Sequence, residues 1–136
     1  MASKEVTIDS VRLALMRGEW AIILKEKSTE QYLLIYMGPS QANIVKRALI
    51  GARFPELKVY EQFLAGTDVA ESALESVVVN GPENSVFHAK LLLTEGGNSF
   101  EIGCPVAGAL ALAYRRNAHI LVDETTFHKA GITLSE

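Results

Sequence analysis

This chain of 136 residues contains one arrangement twice: a strand, a turn that ends in proline, and an alanine-rich helix. The first copy spans Tyr32 to Gly51 and the second spans Ser99 to Asn117. In each copy apolar residues recur at helical spacing directly after the proline. Because a strand and the helix that follows it must both bury apolar side chains, this repeat predicts helices packed on a sheet.

The second helix constrains the fold more than the first. In the first copy, Gly38-Pro39 turns the chain, and one helical face carries the apolar side chains of Ala42, Ile44, Val45, Ala48 and Leu49. In the second, Gly103-Cys104-Pro105 precedes a stripe of Val106, Ala109, Leu110 and Ala113, and Ala107, Ala111 and Leu112 extend the apolar surface almost all round. Such a helix must be covered on two sides. Either the sheet and another helix enclose it, or a second subunit does; we expect a homo-oligomer.

The remaining segments are mostly strands joined by short turns. Alternation or β-branching predicts strands at 4–13, 20–24, 76–79, 86–94 and 119–122, and a turn at Gly81-Pro82-Glu83-Asn84. Helical spacing predicts a short helix over Val59–Leu64 and a last one over Glu124–Lys129. Hairpins pair antiparallel, whereas helical crossovers permit parallel neighbours. The sequence therefore predicts a single α+β domain over residues 1–136, with a mixed β-sheet built from hairpins and three to four packed helices.

Composition limits the classes of function. Hydrophobic residues make up 49% of the chain, yet no apolar run is long enough to span a membrane, and the first residues lack the apolar core of a secretory signal. We therefore expect a soluble cytoplasmic protein without a membrane partner. The net charge of −3 means that nucleic acid could bind only at a local basic patch. The candidates near the two helices are Lys46, Arg47, Arg53, Arg115 and Arg116.

Four segments together resemble the bifunctional nuclease domain family, and the resemblance runs from about Lys4 to Ile132. They are the strand and turn at 32–39, the strand at 86–91, the alanine-rich helix at 109–113 and the strand at 119–122. The resemblance implies an α+β fold, self-association and an activity on DNA and RNA.

The chain departs from this family at the polar positions of the pattern. The family usually has a glutamate two residues after the first proline, where this chain has Gln41. The family's Thr-His-Asp segment corresponds to Val59-Tyr60-Glu61, without the histidine. The family's second pattern is an aspartate followed by Arg-Pro-Ser-Asp-Ala, and the aligned residues here are Gly103, Pro105, Val106, Ala107, Gly108 and Ala109. Both aspartates, the arginine and the serine are therefore lost.

These losses bear on catalysis, because phosphodiester hydrolysis needs a group that activates water and a group that neutralises charge on the phosphoryl oxygens. We expect a nuclease activity that is weakened or lost. Glu61 is the retained acid, beside Tyr60, and both remain candidate catalytic residues; Mg²⁺ or Mn²⁺ would be the cofactor of an active form. The alternative function is a non-catalytic oligomeric module that binds a protein or small ligand where the polar positions have become apolar.

Two further groups could carry other chemistry. Asp123, Glu124 and His128, with His119 nearby, are the best local candidates for a metal site, although Asp123 could instead cap the last helix. Cys104 precedes a helix start, where the helix dipole lowers the pKa of a thiol, so it is either a reactive thiol or a small buried residue. A metal or redox enzyme built on these residues is the third possible function.

Overall fold

The computed structural model describes residues 2–14, 18–51, 74–84, 86–95 and 97–133. The described helices are α1 (Pro39–Leu49), α2 (Val106–Arg116) and α3 (Glu124–Ala130). The described strands are β1 (Ser3–Ala14), β2 (Glu19–Glu26), β3 (Gln31–Met37), β4 (Leu74–Glu83), β5 (Val86–Glu95), β6 (Asn98–Cys104), β7 (His119–Asp123) and β8 (Gly131–Thr133). No helix in these ranges has both the length and the apolar character needed to cross a bilayer.

The strands form one mixed sheet in the order β6-β5-β4-β7-β1-β2-β3-β8. The pair β4–β7 is parallel, and each of the other neighbouring pairs is antiparallel. The parallel pair arises because α2 carries the chain from β6 back to the start of β7. The α+β class, the mixed sheet and the two strand–Pro–helix units predicted from the sequence are confirmed, with three described helices.

Strand register places the most buried side chains on one face of the sheet. Val6 lies opposite Ile120, Ile120 lies beside Val77, and Val77 lies opposite Leu91. These four side chains belong to a single apolar core that also contains the buried residues of α1 and α2. The helices therefore cover this face, and strand residues at alternating positions point the other way.

Helix α2 lies at the centre of the core. All seven residues from Ala107 to Ala113 are buried, and the helix contacts α1 on one side and β4, β5 and β7 on the other. The sheet and another helix of the same chain thus enclose it, as the first of the two sequence-based alternatives required. Because one chain suffices to cover this helix, its composition no longer argues for a second subunit, and the homo-oligomer remains a prediction.

The connection between β4 and β5 differs from the sequence-based prediction. A turn was expected at Gly81–Asn84, but pairing continues to Glu83 opposite Val86. An irregularity in register between Asn80 and Glu83 accommodates the extra residues, and Gly81 has a φ of +112° that favours glycine. The turn therefore tightens to the residues around Asn84, and the prediction of a four-residue turn was wrong. The helix predicted over Val59–Leu64 lies outside the described residues.

The residues at the two ends of α3 determine where this helix begins and stops. The side chain of Asp123 accepts a hydrogen bond from the backbone N–H of Thr125 at 3.2 Å, which caps α3 at its start. Gly131 follows the helix with an ordinary φ of −71°, and a Cβ atom there would lie 2.6 Å from the carbonyl oxygen of Phe127. Gly131 is therefore required by close packing against the helix rather than by backbone freedom.

We expect Gly131→Ala to lower the free energy of unfolding by about 1–3 kcal/mol, the usual cost of forcing a methyl group into occupied space. The matched control is Gly103→Ala, because a Cβ at Gly103 meets no atom within 4 Å. Urea denaturation of both variants measures the effect. Equal stabilities of the two variants would contradict the packing argument.

Candidate functional site

The two strand–Pro–helix units begin at opposite edges of the sheet. From β3 across the sheet to β6, each neighbouring pair of strands is antiparallel except the parallel pair β4–β7. The strand direction therefore reverses an odd number of times. β3 and β6 therefore run in opposite directions, and the helices that follow them start at opposite edges. Gln41 lies exposed in the first turn of α1, far from Gly103 and Pro105 at the start of α2. The family's first and second polar positions do not form one pocket within a single chain.

A pocket of about 690 Å³ lies where β6 ends and α2 begins. We call it the motif pocket, because Gly103, Pro105 and Val106 line it. Its other lining residues come from the ends of β4 and β5: Asn80, Glu83, Phe87, His88, Ala89 and Lys90, together with Cys104.

The polar side chains of the motif pocket are exposed and loosely paired. His88 Nε2 lies 3.6 Å from Glu83 Oε2, and both side chains are more than half exposed. Lys90 Nζ lies 3.9 Å from Glu101 Oε1, also with both side chains largely exposed. His88 occupies an exposed position on β5. Ion pairs of this kind contribute little to stability, and among the described lining residues Glu83 is the one carboxylate.

The other residues at the family's motif positions do not reach this pocket. Ala107 and Gly108 are buried inside α2, so neither lies on the surface that the alternative function requires. Pro105 is exposed and Val106 half-buried at its rim. Any binding surface here must therefore use these two residues and the side chains of β5.

Cys104 is not an activated thiol. Burial raises the pKa of its thiol to about 11, the opposite of the lowering that a helix start would cause. The residue precedes Pro105, the N-cap of α2, and its side chain packs against the apolar core. The interpretation of Cys104 as a small buried residue is therefore supported over that of a reactive thiol.

The basic residues near the helices are partly engaged elsewhere. Helices α1 and α2 are in contact, but because they start at opposite edges of the sheet, their basic last turns also lie at opposite ends rather than in one patch. Lys46 places its Nζ 4.0 Å from the centroid of the Trp20 ring, a cation–π contact within the domain. Arg47 is exposed, Arg115 and Arg116 are half-buried, and each of the three has a partner. Arg53, like the candidate catalytic residues Tyr60 and Glu61, lies outside the described residues.

The candidate metal ligands do not form a group. His119 and Asp123 occupy opposite ends of β7, which places them about 13 Å apart at roughly 3.3 Å per residue. Asp123 caps α3, and His128 is exposed on that helix. Within the described ranges, no three His, Cys, Asp or Glu side chains are placed to share a metal ion.

A second polar group joins three distant segments of the chain. Glu5 Oε2 lies 2.6 Å from His119 Nδ1 and 2.7 Å from Lys27 Nζ. The backbone fixes this arrangement, because the N–H of Lys27 donates to the carbonyl oxygen of Glu5 at 3.0 Å and β1 pairs with β7 from Ser3 to Val6. His119 is a sequence candidate, whereas Glu5 and Lys27 are not.

The charge state of Glu5 determines which nitrogen of His119 carries a proton. Hydrogen bonds from Lys27 and then from His119 hold the pKa of the Glu5 carboxyl below its usual range. Glu5 is therefore ionised at neutral pH and can only accept, so Nδ1 of His119 must carry the donated hydrogen. In the neutral ring Nε2 is then the unprotonated nitrogen, and it has no hydrogen-bond partner among the described residues.

These three side chains border a groove of about 610 Å³, which we call the Glu5–His119 groove. The groove exists because β1 stops pairing with β7 after Val6 but continues along β2. Thr7 and Ile8 line one side, and the end of α2 with Tyr114 and Asn117 lines the other. Asn117 ends the helix in the left-handed conformation, with φ of +55°, which an asparagine tolerates well.

Sequence reasoning could not find Glu5 and Lys27. They lie 22 residues apart, and His119 lies 114 residues from Glu5. Alternation predicted that Glu5 lies on a strand, but no local pattern says which strand will be its neighbour. The order β7-β1-β2 alone brings the three residues together.

A comparison with known families supports the resemblance that the sequence shows. Residues 22–135 match the model of the bifunctional nuclease domain. This match covers most of the chain, and the chain belongs to the bifunctional nuclease domain family. A search of curated proteins finds no match.

We expect the acid stability of the domain to depend on Glu5. The folded-state pKa of its carboxyl lies below the ordinary value of 4.5, so its ionised form stabilises the fold above that value. This contribution is lost as the pH falls through the folded-state pKa. Urea denaturation over a pH series should show wild type more stable than Glu5→Gln at neutral pH, with the difference disappearing in strong acid.

The partner variant Lys27→Met should show part of the same effect, because it removes one of the two donors to the carboxylate. A difference between wild type and Glu5→Gln that stays constant with pH would contradict this assignment of the carboxylate.

Proposed function

We propose that this bifunctional nuclease domain hydrolyses DNA and RNA weakly or not at all at the family's motif positions. The observation that carries the proposal is the placement of those positions. Gly103 and Pro105 offer no acid or base to the motif pocket, and Ala107 and Gly108 are buried in α2. A metal-dependent hydrolase needs carboxylates or histidines that converge on the ion and its water, and one exposed Glu83–His88 contact does not supply them.

The Mg²⁺ or Mn²⁺ that an active form would use has few ligands here. Both ions prefer carboxylate, carbonyl and water oxygens in octahedral geometry. In the motif pocket Glu83 is the only carboxylate among the described lining residues, with Asn80 as a possible amide ligand. These residues fit a strongly bound catalytic metal poorly.

We expect stringently purified protein to release no acid-soluble nucleotides from single-stranded DNA when Mg²⁺ or Mn²⁺ is added. Deoxyribonucleic acid is the informative substrate, because it lacks the 2′-OH that could serve as an internal nucleophile. The matched variant is Glu61→Gln, which removes the acid that the sequence retains near the family pattern. A metal-dependent rate in wild type that Glu61→Gln lowers would refute the proposal.

The motif pocket itself supports a second candidate function, a self-associating module that binds a partner there without hydrolysing it. Phe87, Ala89, Pro105 and Val106 give the pocket an apolar lining, and Asn80 and His88 add polar groups. Ligand sites commonly combine an apolar lining with a few polar side chains in a volume of this order.

This candidate predicts that the Arg115→Ser/Arg116→Ser double variant keeps the mass of wild type in sedimentation velocity. It also predicts no salt-dependent affinity for double-stranded DNA, measured by fluorescence anisotropy at several salt concentrations. Affinity that falls steeply with salt, and that the double variant abolishes, would instead identify a phosphate-binding surface.

A further inference from the structure

Beyond the proposed function, and independently of it, we propose that His119 is a phosphoryl-acceptor site. Nε2 of its ring takes a phosphoryl group from a small acyl phosphate that enters the Glu5–His119 groove. Glu5 is the positioning residue, and the ammonium of Lys27 offsets the negative charge of the phosphoryl oxygens. The product is a phosphohistidine on the protein, and nucleic acid takes no part in the reaction.

A single carboxylate oxygen orients the ring of His119. Glu5 Oε2 lies 2.6 Å from Nδ1 of His119, and the pairing of β1 with β7 holds the two backbones in register. Because the ionised carboxylate accepts the hydrogen on Nδ1, the neutral ring carries its free lone pair on Nε2. The side chain of His119 is 64% exposed, and Nε2 has no hydrogen-bond partner among the described residues. Nε2 is therefore a nucleophile that a ligand in the groove can reach.

Lys27 places a positive charge beside this nucleophile. Its Nζ lies 2.7 Å from Glu5 Oε2, the same oxygen atom that bonds to His119. This contact uses one of the three hydrogen bonds that an ammonium can donate. While His119 is neutral, the charges of Glu5 and Lys27 cancel. An anionic phosphoryl donor therefore meets no net negative charge from these three side chains.

The transfer balances without a further reactant. Nε2 of His119 bonds to phosphorus while the bond between phosphorus and the acyl oxygen breaks. The acyl group leaves as a carboxylate, with the electron pair of the broken bond. Nδ1 keeps its proton throughout, so a positive charge forms on the ring beside the carboxylate of Glu5. This attraction strengthens only as the new bond forms, which is the stage at which it accelerates the reaction.

The leaving group determines the class of donor. A carboxylate leaves without being protonated, whereas the alkoxide of a phosphate ester needs an acid that protonates it. The titratable side chains among the described lining residues are Glu5, Lys27, Tyr114 and His119. Glu5 is ionised and has no proton to give, and an ammonium and a phenol are weak acids at neutral pH. An acyl phosphate therefore suits these residues better than a phosphate ester of an alcohol.

The groove has room for such a donor. Its volume of about 610 Å³ lies within the usual range for ligand sites. Thr7 and Asn117 also line it and bring a hydroxyl and an amide, groups that can donate hydrogen bonds to phosphoryl and acyl oxygens. A donor as small as acetyl phosphate therefore fits.

The other two histidines of the chain provide an internal comparison. His88 and His128 are exposed, as His119 is, so access to solvent does not distinguish the three. His88 Nε2 lies 3.6 Å from Glu83 Oε2, beyond hydrogen-bond distance, and that glutamate side chain is 78% exposed. Within the part of the chain that the structure describes, His119 is the histidine with a short hydrogen bond to a carboxylate. The proposal therefore predicts selective modification of His119.

The test is incubation of the full-length protein with acetyl phosphate, followed by tandem mass spectrometry. We expect one phosphoryl group on His119, in a linkage that acid cleaves and alkali leaves intact. That lability distinguishes phosphohistidine from phosphoserine and from a phosphorylated carboxylate. His119 should react at least about 10-fold faster than His88 and His128 in the same molecule, the lower end of what an orienting carboxylate contributes at metal-ligating histidines.

Variants separate the roles of the three side chains. His119→Asn should carry no acid-labile phosphate, whereas the matched control His128→Asn should be modified as wild type is. Glu5→Gln should slow the reaction by about 10–100-fold and, in ¹⁵N spectra of the imidazole, should remove the preference for a proton on Nδ1. A loss of stability alone would not change the tautomer. Lys27→Met should slow the reaction by about 10-fold, and Lys27→Arg, which keeps the charge, should restore it.

Two results would overturn the proposal. One is the absence of phosphohistidine at position 119 after incubation of wild type with acetyl phosphate. The other is modification of His119, His88 and His128 at equal rates, which would show only the intrinsic reactivity of an exposed imidazole. Neither result bears on the metal-dependent assay with single-stranded DNA, which tests the motif pocket alone.

Discussion

Helix α2 is buried along its middle, and the packing that covers it positions the neighbouring strands and helices. Seven consecutive buried residues from Ala107 to Ala113 leave no side of the helix that can face water in this stretch. Such a helix needs packing partners on more than one side, and α1 and the strands β4, β5 and β7 provide them. The small alanine side chains allow α1 to approach closely. Everything that α2 joins, including β6 before it and β7 after it, is positioned by this layer.

Burial of this helix also limits which side chains its first turns can hold. Acids and a serine in the first turns of a buried helix need partners, because an unpaired charge in the core is costly. With Ala107 and Gly108 in place of polar residues, the start of α2 packs against apolar neighbours without such partners. The motif pocket that remains at its N-terminus is bordered by exposed side chains of β4 and β5, which hold each other only loosely. A binding role suits this arrangement better than a metal-dependent one.

The ion-paired group of Glu5, Lys27 and His119 lies instead near the point where β1 stops pairing with β7 and continues along β2. β1 pairs with β7 over four residues, up to the start of β7, while its pairing with β2 continues through an irregularity between Ile8 and Ser10. This pairing fixes the backbone positions of Glu5 and of the residues next to it. Glu5 joins the two neighbouring strands through Lys27 and His119, and its ionised carboxylate is satisfied by both.

Local sequence patterns determined most of the secondary structure and the class of fold. Period-two alternation and β-branching identified β1, β2, β3, β5 and β7, and helical spacing identified the buried faces of α1 and α2, because these patterns follow directly from backbone geometry. They misplaced the turn between β4 and β5, where a register irregularity absorbs Gly81 and Pro82. For Cys104 they left a reactive thiol and a small buried residue open, and burial, which raises the pKa of the thiol to about 11, supports the buried residue.

Long-range pairing was beyond the reach of the sequence. No local pattern shows that β1 lies between β7 and β2. Nor does any local pattern show that β3 and β6 run in opposite directions, which places the starts of α1 and α2 at opposite edges of the sheet. Hydrophobic alternation fixes which face of a strand is buried but not which strand lies beside it, because many pairings bury the same face equally well. Local patterns thus give the elements, their buried faces and the family of this protein. The order and direction of strands that are distant in sequence separate Gln41 from Gly103 and bring Glu5, Lys27 and His119 together.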